Sequence, residues 1–385
     1  MSAILSGRKV LKRLNEAGYE AYFVGGMVRD ALLGHDVYDA DITTDATPEA
    51  VQSLFDRVFA TGLKHGTVTV VVDGQNVEVT TFRLDGEYLD NRHPEGVFFT
   101  RSLLEDLARR DFTINAMAQQ LTGAVIDPFN GQADLEVGII RAVGEAKKRF
   151  EEDALRILRG IRFVAKLGFT IEEETFKAMV ECRHSLAYLS FERIRKEIEG
   201  ILSSVKHRAK ALDFIIQNKI FEHVPFFSVL IKFDSLDKIK DIATLLDVVA
   251  FELENPDNFL LEFPFTKGER KTIQILLAIR NEILDERLIL YRFGAKVLYQ
   301  RYLLNCFYQN EEFEYQLPAM TINRRADLAI KPKEVIKLSK KTPGAWVGKL
   351  FAEIEDAVIL EKIENTRESI LKFIDKRGIL NAKKN

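Results

Sequence analysis

The feature that most constrains this chain is a glycine pair between a strand-like run and a helix, backed by two aspartates. Phe23-Val24-Gly25-Gly26-Met27-Val28-Arg29-Asp30 is followed shortly by Asp39-Ala40-Asp41. Tyr19 to Val24 reads as a strand and Val28 to Leu33 as a helix stopping at Gly34. Glycines at such a junction let backbone N–H groups approach a phosphate closely. On its own the pair equally fits a structural turn. Arg29 adds a cation beside the expected phosphates, and Asp30 can hold that arginine in place.

Asp39-Ala40-Asp41-Ile42 reads as a short strand. Its period of two sets both carboxylates on one face and leaves Ala40 and Ile42 for the core. Like charges that close require a cation between them. Mg²⁺, which takes one or two carboxylates together with water and substrate phosphates, suits them. A D-x-D pattern alone is also compatible with a solvated turn; behind a strand, a glycine pair and an arginine it points to metal.

Further along, Thr47-Pro48 has the preferences of a helix start, running to about Phe55. Val58 to Thr61, Thr67 to Val72 and Val77 to Arg83 are β-rich, with a turn at Asp73-Gly74-Gln75-Asn76. Glu78 lies between Val77 and Val79 and so points away from the face they bury. It reads either as a third metal-site carboxylate or as an exposed strand glutamate. Leu84 to Thr100 is rich in breakers and reads as a long loop. Leu103 to Ala108 is helical and leads into Arg109-Arg110-Asp111-Phe112-Thr113-Ile114-Asn115-Ala116-Met117, where the adjacent arginines followed by Asp111 suit a sugar and triphosphate or, in isolation, a surface ion pair. Asp127 to Gly131 is a turn, and Ile139 to Val143 a short strand.

Composition narrows the class. The chain has 385 residues, 46% hydrophobic and 29% charged, so two to four structural units are expected in a globular protein. No run approaches about eighteen uncharged apolar residues, and the first residues carry charges, so neither a membrane span nor secretion is expected. A cytoplasmic protein fits. Cys182 and Cys306 lie far apart, without metal-ligand spacing, and read as reduced, packed thiols. The net charge of −3 does not advertise nucleic-acid binding. The segment 323–349 nevertheless gathers Arg324, Arg325, Lys331, Lys333, Lys337, Lys340, Lys341 and Lys349 against Asp327 and Glu334, a stripe that can hold a phosphate backbone or simply face solvent.

The glycine-pair motif, Asp39-Ala40-Asp41, the Arg109 to Met117 run and Glu152-Asp153-Ala154-Leu155-Arg156-Ile157-Leu158-Arg159 occur in the order found in class II tRNA nucleotidyltransferases. The chain resembles the bacterial members of that family, most specifically over 20–200. The resemblance implies an α+β fold: a polymerase-β-like head over 1–148, then all-helical neck, body and tail over 149–205, 206–290 and 291–385. It implies that Asp39 and Asp41 bind Mg²⁺. Gly25, Gly26, Arg29, Arg110 and Asp111 would bind the nucleotide, together with Asp153, Arg156, Arg159 and Arg162. Ser190-Phe191-Glu192-Arg193-Ile194 resembles a motif that buttresses the nucleotide-binding helix, leaving Glu192, Arg193 and Glu197 as supports.

From Glu151 the pattern is helical, with Asp153 and Arg156 as i,i+3 neighbours. In isolation they would form a surface ion pair worth at most about 1 kcal/mol. Facing a base edge they do more. Cytosine and adenine both present an amino donor beside a ring acceptor, whereas uracil and guanine present the reverse order. An aspartate acceptor and an arginine donor therefore accept CTP and ATP and leave UTP and GTP mismatched. The expected activity is addition of C, C and A to tRNA. Poly(A) polymerase, a CC-only or A-only enzyme, and a non-catalytic tRNA-binding scaffold are the alternatives. Thr61 to Val70 resembles the CCA-enzyme version of its region, the loop Asp85 to Pro94 that CC-only enzymes lack in part is present, and the metal aspartates that a dead scaffold would lose are intact. Beyond about Val205 the chain is helical by period, and its Phe-rich stretch 221–265 reads as core.

Overall fold

The computed structural model describes residues 3–85, 97–311 and 314–380. It divides into two compact units, Met1–Ile242 and Ala243–Asn385. Of the expected loop Asp85 to Pro94, residues 86–94 lie outside the described residues.

The first unit opens with α1 (Ala3–Glu16), β1 (Ala21–Val24), α2 (Gly26–Leu32), β2 (Ala40–Thr44), α3 (Pro48–Leu54), β3 (Val58–Gly62), β4 (Thr67–Val72) and β5 (Gln75–Thr81). Val10, Leu11 and Leu14 recur at helical spacing and are fully buried on α1, which packs on β1, β2, β4 and β5. Thr47 caps α3 by accepting from the Ala50 N–H at 3.3 Å. Asp73 and Gly74, at φ 53° and 74°, make the two-residue turn between β4 and β5. Gln75 and Asn76, expected in that turn, pair instead with Val72 and Val71. Positive φ at both central positions matches the strand twist, so a two-residue loop suffices.

The chain continues with β6 (Arg83–Asp85), β7 (Val97–Phe99), α4 (Leu103–Ala108), β8 (Ala118–Gln119), β9 (Val125–Ile126), α5 (Gly131–Val137) and β10 (Ile139–Ile140). The main sheet runs β3-β4-β5-β2-β1-β8-β9, with β2 and β5 parallel and the other pairs antiparallel. Residues 84–100, expected as one long loop, are tied at their ends by antiparallel pairing of β6 with β7. Strand residues alternate between faces. Ala40, Ile42, Val77 and Val79 turn into the core at no more than 2% exposure, which sends Asp41 and Glu78 to the opposite face.

Next come α6 (Ala146–Glu152), α7 (Leu155–Leu167), β11 (Thr170–Ile171), α8 (Glu173–Cys182), α9 (Phe191–Ser203) and α10 (Arg208–Gln217). The strand expected at 139–143 is only Ile139–Ile140, and it pairs with β11 rather than joining the main sheet. The continuous helix expected from Glu151 breaks at Asp153, whose backbone is extended at φ −147° and ψ 101°. Asp153 Oδ1 accepts from the Leu155 N–H at 3.1 Å and so starts α7 anew. Ser190 stands at the α9 start as expected, but its hydroxyl makes no capping bond.

The second unit is helical: α11 (Ile242–Glu252), α12 (Asp257–Glu262), α13 (Lys267–Ala278), α14 (Glu286–Phe293), α15 (Ala295–Gln309), α16 (Pro332–Ser339), α17 (Ala345–Ile359) and α18 (Arg367–Asp375). One core joins α14, α16, α17 and α18 through Leu288, Val335, Phe351, Ile354, Val358 and Ile370. Across the two units, Phe221, Phe227, Phe259 and Phe263 are at most 1% exposed, as expected of core. Among the described residues no helix is long and apolar enough to cross a membrane.

Candidate active site

Gly25 holds φ 67° and ψ −137° between β1 and α2, a conformation closed to residues with a side chain, and it turns the chain back over the sheet. A Cβ there would lie 3.3 Å from Arg110 Nη1. Arg29, one turn into α2, is 3% exposed and fixed on several sides. Its Nε donates to Asp30 Oδ1 at 2.8 Å, its Nη1 to Asn115 Oδ1 at 2.6 Å, and its guanidinium lies 5.1 Å from the Phe163 ring centre. Lys166 Nζ binds the other Asp30 oxygen at 2.9 Å. Burial works to raise the Asp30 pKa, but the bonds and charges of Arg29 and Lys166 outweigh it and hold the carboxyl below its ordinary range.

On the open sheet face, Asp41 and Glu78 are direct partners in the parallel β2–β5 pairing. Burial first, then the Glu78 charge, pushes Asp41 up to about 6; Arg110 opposes this and Asp39 adds to it. Asp39 is exposed and precedes β2, which begins one residue later than expected. Among the described residues no three His, Cys, Asp or Glu side chains stand close enough to count as a preformed metal cluster.

The arginines are aimed by a residue that the sequence pattern did not single out. Asp106, on α4 and fully buried, accepts from Arg109 Nε at 3.0 Å, Arg110 Nη2 at 3.1 Å and Thr43 Oγ1 at 3.2 Å. Burial would raise its pKa; the charges of Arg110 and Arg109 prevail and lower it. Its spacing of three and four residues from the two arginines was the available signal. Asp111, 8% exposed, is committed to Arg159 Nε at 2.7 Å, Asn115 Nδ2 at 3.2 Å and the Phe112 N–H at 2.9 Å. Arg159 and Asn115 overcome its burial and keep it ionised.

Asp153 and Arg156 do not share one continuous helix. Asp153 Oδ2 is held by Arg193 Nη2 at 2.6 Å, so the buttress expected from the 190–194 motif is in contact. Arg156, 7% exposed, donates from Nη1 to Glu152 Oε2 at 2.8 Å and from Nη2 to the Arg109 carbonyl at 3.1 Å. Arg162 Nε lies 2.8 Å from Glu197 Oε2 without hydrogen-bond geometry. Burial dominates both groups, lowering the Arg162 pKa and raising that of Glu197.

One cavity of about 630 Å³ gathers Gly25, Gly26, Asp41, Glu78, Arg110 and Asp111 with Asp153, Arg156 and Arg159. His65, Thr67, Thr80, Arg83 and Arg193 complete much of its wall. Arg29 and Arg162 line an adjoining cavity of about 450 Å³ that also touches Gly26, Asn115 and Arg159. Of the residues expected to bind metal or nucleotide, Asp39 lines neither.

Comparison with known proteins fits this geometry. Residues 21–141 match the Poly A polymerase head domain, 168–230 the probable RNA and SrmB-binding site of polymerase A, and 235–374 the putative tRNA nucleotidyltransferase domain 2. The CCA-adding enzyme of Bacillus cytotoxicus is 36% identical, over 96% of this chain and 98% of its own length. That of Enterococcus faecalis is 38% identical, over 96% and 95%. This chain belongs to the CCA-adding enzyme family. The Bacillus stearothermophilus CCA-adding enzyme in complex with CTP has the same fold at a TM-score of 0.80, with 31% identity and 98% of each chain covered. The chain is thus an enzyme of α+β fold, and membership of a nucleotidyltransferase family implies dependence on a divalent metal.

Proposed function

We propose that this chain adds C, C and then A to the 3′ end of tRNA, consuming CTP and ATP and releasing pyrophosphate. The observation that carries the reading is one cavity that holds both the Asp41 and Glu78 carboxylates and the Asp153 and Arg156 pair. The first two suit a cation; the second two suit a base edge.

The carboxylates fit a hard divalent ion. All the donors are oxygens, and Asp41 is raised to about 6 by burial and by its carboxylate neighbours, as expected of a site built around positive charge. Mg²⁺ held by Asp39 and Asp41, with Glu78 beside them, would activate the attacking 3′-hydroxyl and offset charge on the triphosphate. The protein's own groups do the rest. The Gly25-Gly26 backbone receives phosphate oxygens, and Arg29 stands pre-aimed by Asn115 and Asp30. Arg110, anchored by Asp106, covers the phosphates, and Asp111 keeps Arg159 extended towards them. Arg162, in imperfect contact with Glu197, gains a full partner when an anionic nucleotide binds. Asp153, steadied by Arg193, accepts from the amino group of cytosine or adenine, and Arg156 donates to the neighbouring ring nitrogen.

Head, neck, body and tail over 1–148, 149–205, 206–290 and 291–385 belong to the same proposal, as does a cytoplasmic location. In the expected tail, Arg324 and Arg325 are engaged by Asp327 and Glu355, whereas Lys333, Lys337, Lys340 and Lys349 are exposed with no carboxylate partner among the described residues. Those four are left for a phosphate backbone. The test is to give purified protein a tRNA trimmed to its discriminator base, with the four nucleoside triphosphates singly and together. Two additions with CTP and one more on adding ATP are expected; a long A-tail, or no extension, would overturn the reading.

A further inference from the structure

Within the second unit, α15 carries two cavities that the reaction above does not use. One, of about 340 Å³, is lined by Glu286, Tyr302, Glu314 and Tyr315. The other, of about 280 Å³, is lined by Arg280, Asn281 and Tyr308. Arg301 and Asn305 belong to both walls. Ligand cavities start at about 300 Å³, and these two, each near that size, meet at the shared wall of Arg301 and Asn305.

Their linings differ in kind. The first is aromatic and acidic: the Tyr315 ring lies 4.9 Å from Tyr299 and 5.1 Å from Tyr302, and Glu286 and Glu314 outnumber Arg301 there. That balance repels phosphate but offers π faces and acceptors for N–H groups. The second is basic, with Arg280 beside Arg301. Between them, Arg301 Nη2 donates to the Glu282 carbonyl at 2.8 Å, while its Nη1 is buried with no hydrogen-bond partner among the described residues. A buried guanidinium N–H left unmatched is expensive, and an acceptor on a ligand would relieve it.

We propose that these paired cavities are a second nucleotide site, with the base among the tyrosines and the phosphate beside Arg280 and Arg301. Arg301 donates to ring or carbonyl acceptors, and the two glutamates accept from imino and amino groups, a combination that matches the guanine edge best. The nucleotide is either an unpaired residue of the bound RNA or a free mononucleotide. The RNA source rests on the proposed tRNA substrate; the free-nucleotide source does not.

The full-length protein is tested in two arms. In the first, tRNA lacking its CCA end is probed with kethoxal, which modifies unpaired guanines, with and without wild type, Asn305→Ala, Tyr315→Ala or Arg301→Gln. In the second, GMP, AMP, CMP and UMP are measured by equilibrium dialysis. The expected result is a guanine protected by wild type and exposed by the variants, or GMP bound preferentially and lost with them. Affinity should fall roughly 5- to 100-fold when a stacking ring is removed, with the CTP KM unchanged. Circular dichroism identifies any variant that fails to fold, and exposed Asn305 is the least disruptive site. Folded variants that keep every protection, the tRNA affinity and the mononucleotide binding of wild type would overturn the site. CCA addition by wild type, measured separately, reports on the proposed activity alone.

Discussion

Asp41 and Asp106 are both carboxylates on the working side of the sheet, and their environments drive them in opposite directions. Asp41 is raised to about 6 in the fold against 3.8 in the unfolded chain, so its ionised form opposes folding. Below the unfolded value both states hold the proton and the group contributes nothing. The penalty grows between the two values and is complete above the folded one. Asp41→Asn should therefore stabilise the metal-free protein by about 1–3 kcal/mol near pH 8, with no gain below about pH 4, in urea titrations with chelator. The same variant should lose nucleotide incorporation. Asp106 is the reverse case. Asp106→Asn leaves Arg109 and Arg110 without a buried counter-charge, which costs about 3–5 kcal/mol by denaturant unfolding and lowers kcat/KM for CTP by at least tenfold.

At the scale of elements, the strand, glycine turn and helix of the opening motif are legible because their signals are local: alternation, a glycine pair, a resumed helical period. The opposite faces of Glu78 and Val77 follow from the same alternation. The break between α6 and α7 is not legible. Glu151 to Arg156 hold no glycine or proline to mark a stop, and although Asp153 is a residue type that favours helix starts, the chain departs from helix where its other oxygen is drawn to Arg193, forty residues on. Likewise β10 needs β11 as its partner, and no local signal carries a pairing across about thirty residues. The break sets Asp153 and Arg156, the pair proposed to read the base, at a helix junction instead of along a helix face. Arg193→Ala should release Asp153 and narrow the preference for CTP over UTP by roughly tenfold, seen in single-turnover incorporation with each triphosphate. Thermal stability should change little, because this ion pair is partly exposed.

For the whole molecule, net charge gave no hint of RNA, since 58 acidic residues conceal 55 basic ones. The distribution matters instead. Lys337→Ala with Lys340→Ala should weaken tRNA binding several-fold and flatten its dependence on log salt by about one for each phosphate no longer neutralised, leaving the CTP KM unchanged. The two thiols bear on handling the protein. Cys182 and Cys306 are 2% and 8% exposed, and burial pushes the Cys182 thiol up to about 11. Neither should react with a thiol reagent near pH 8 until the chain unfolds, as a colour assay with and without urea would show.

Arg156 also binds the carbonyl of Arg109, the neighbour of the arginine assigned to the phosphates. In the proposed roles, spelling and grip thus share one side chain. A change of alphabet by substitution at 156 would carry a loss of catalytic competence with it. Laboratory evolution towards other letters should therefore succeed first at Asp153 or Arg193, where the selector can be altered without loosening the hand that holds the pen.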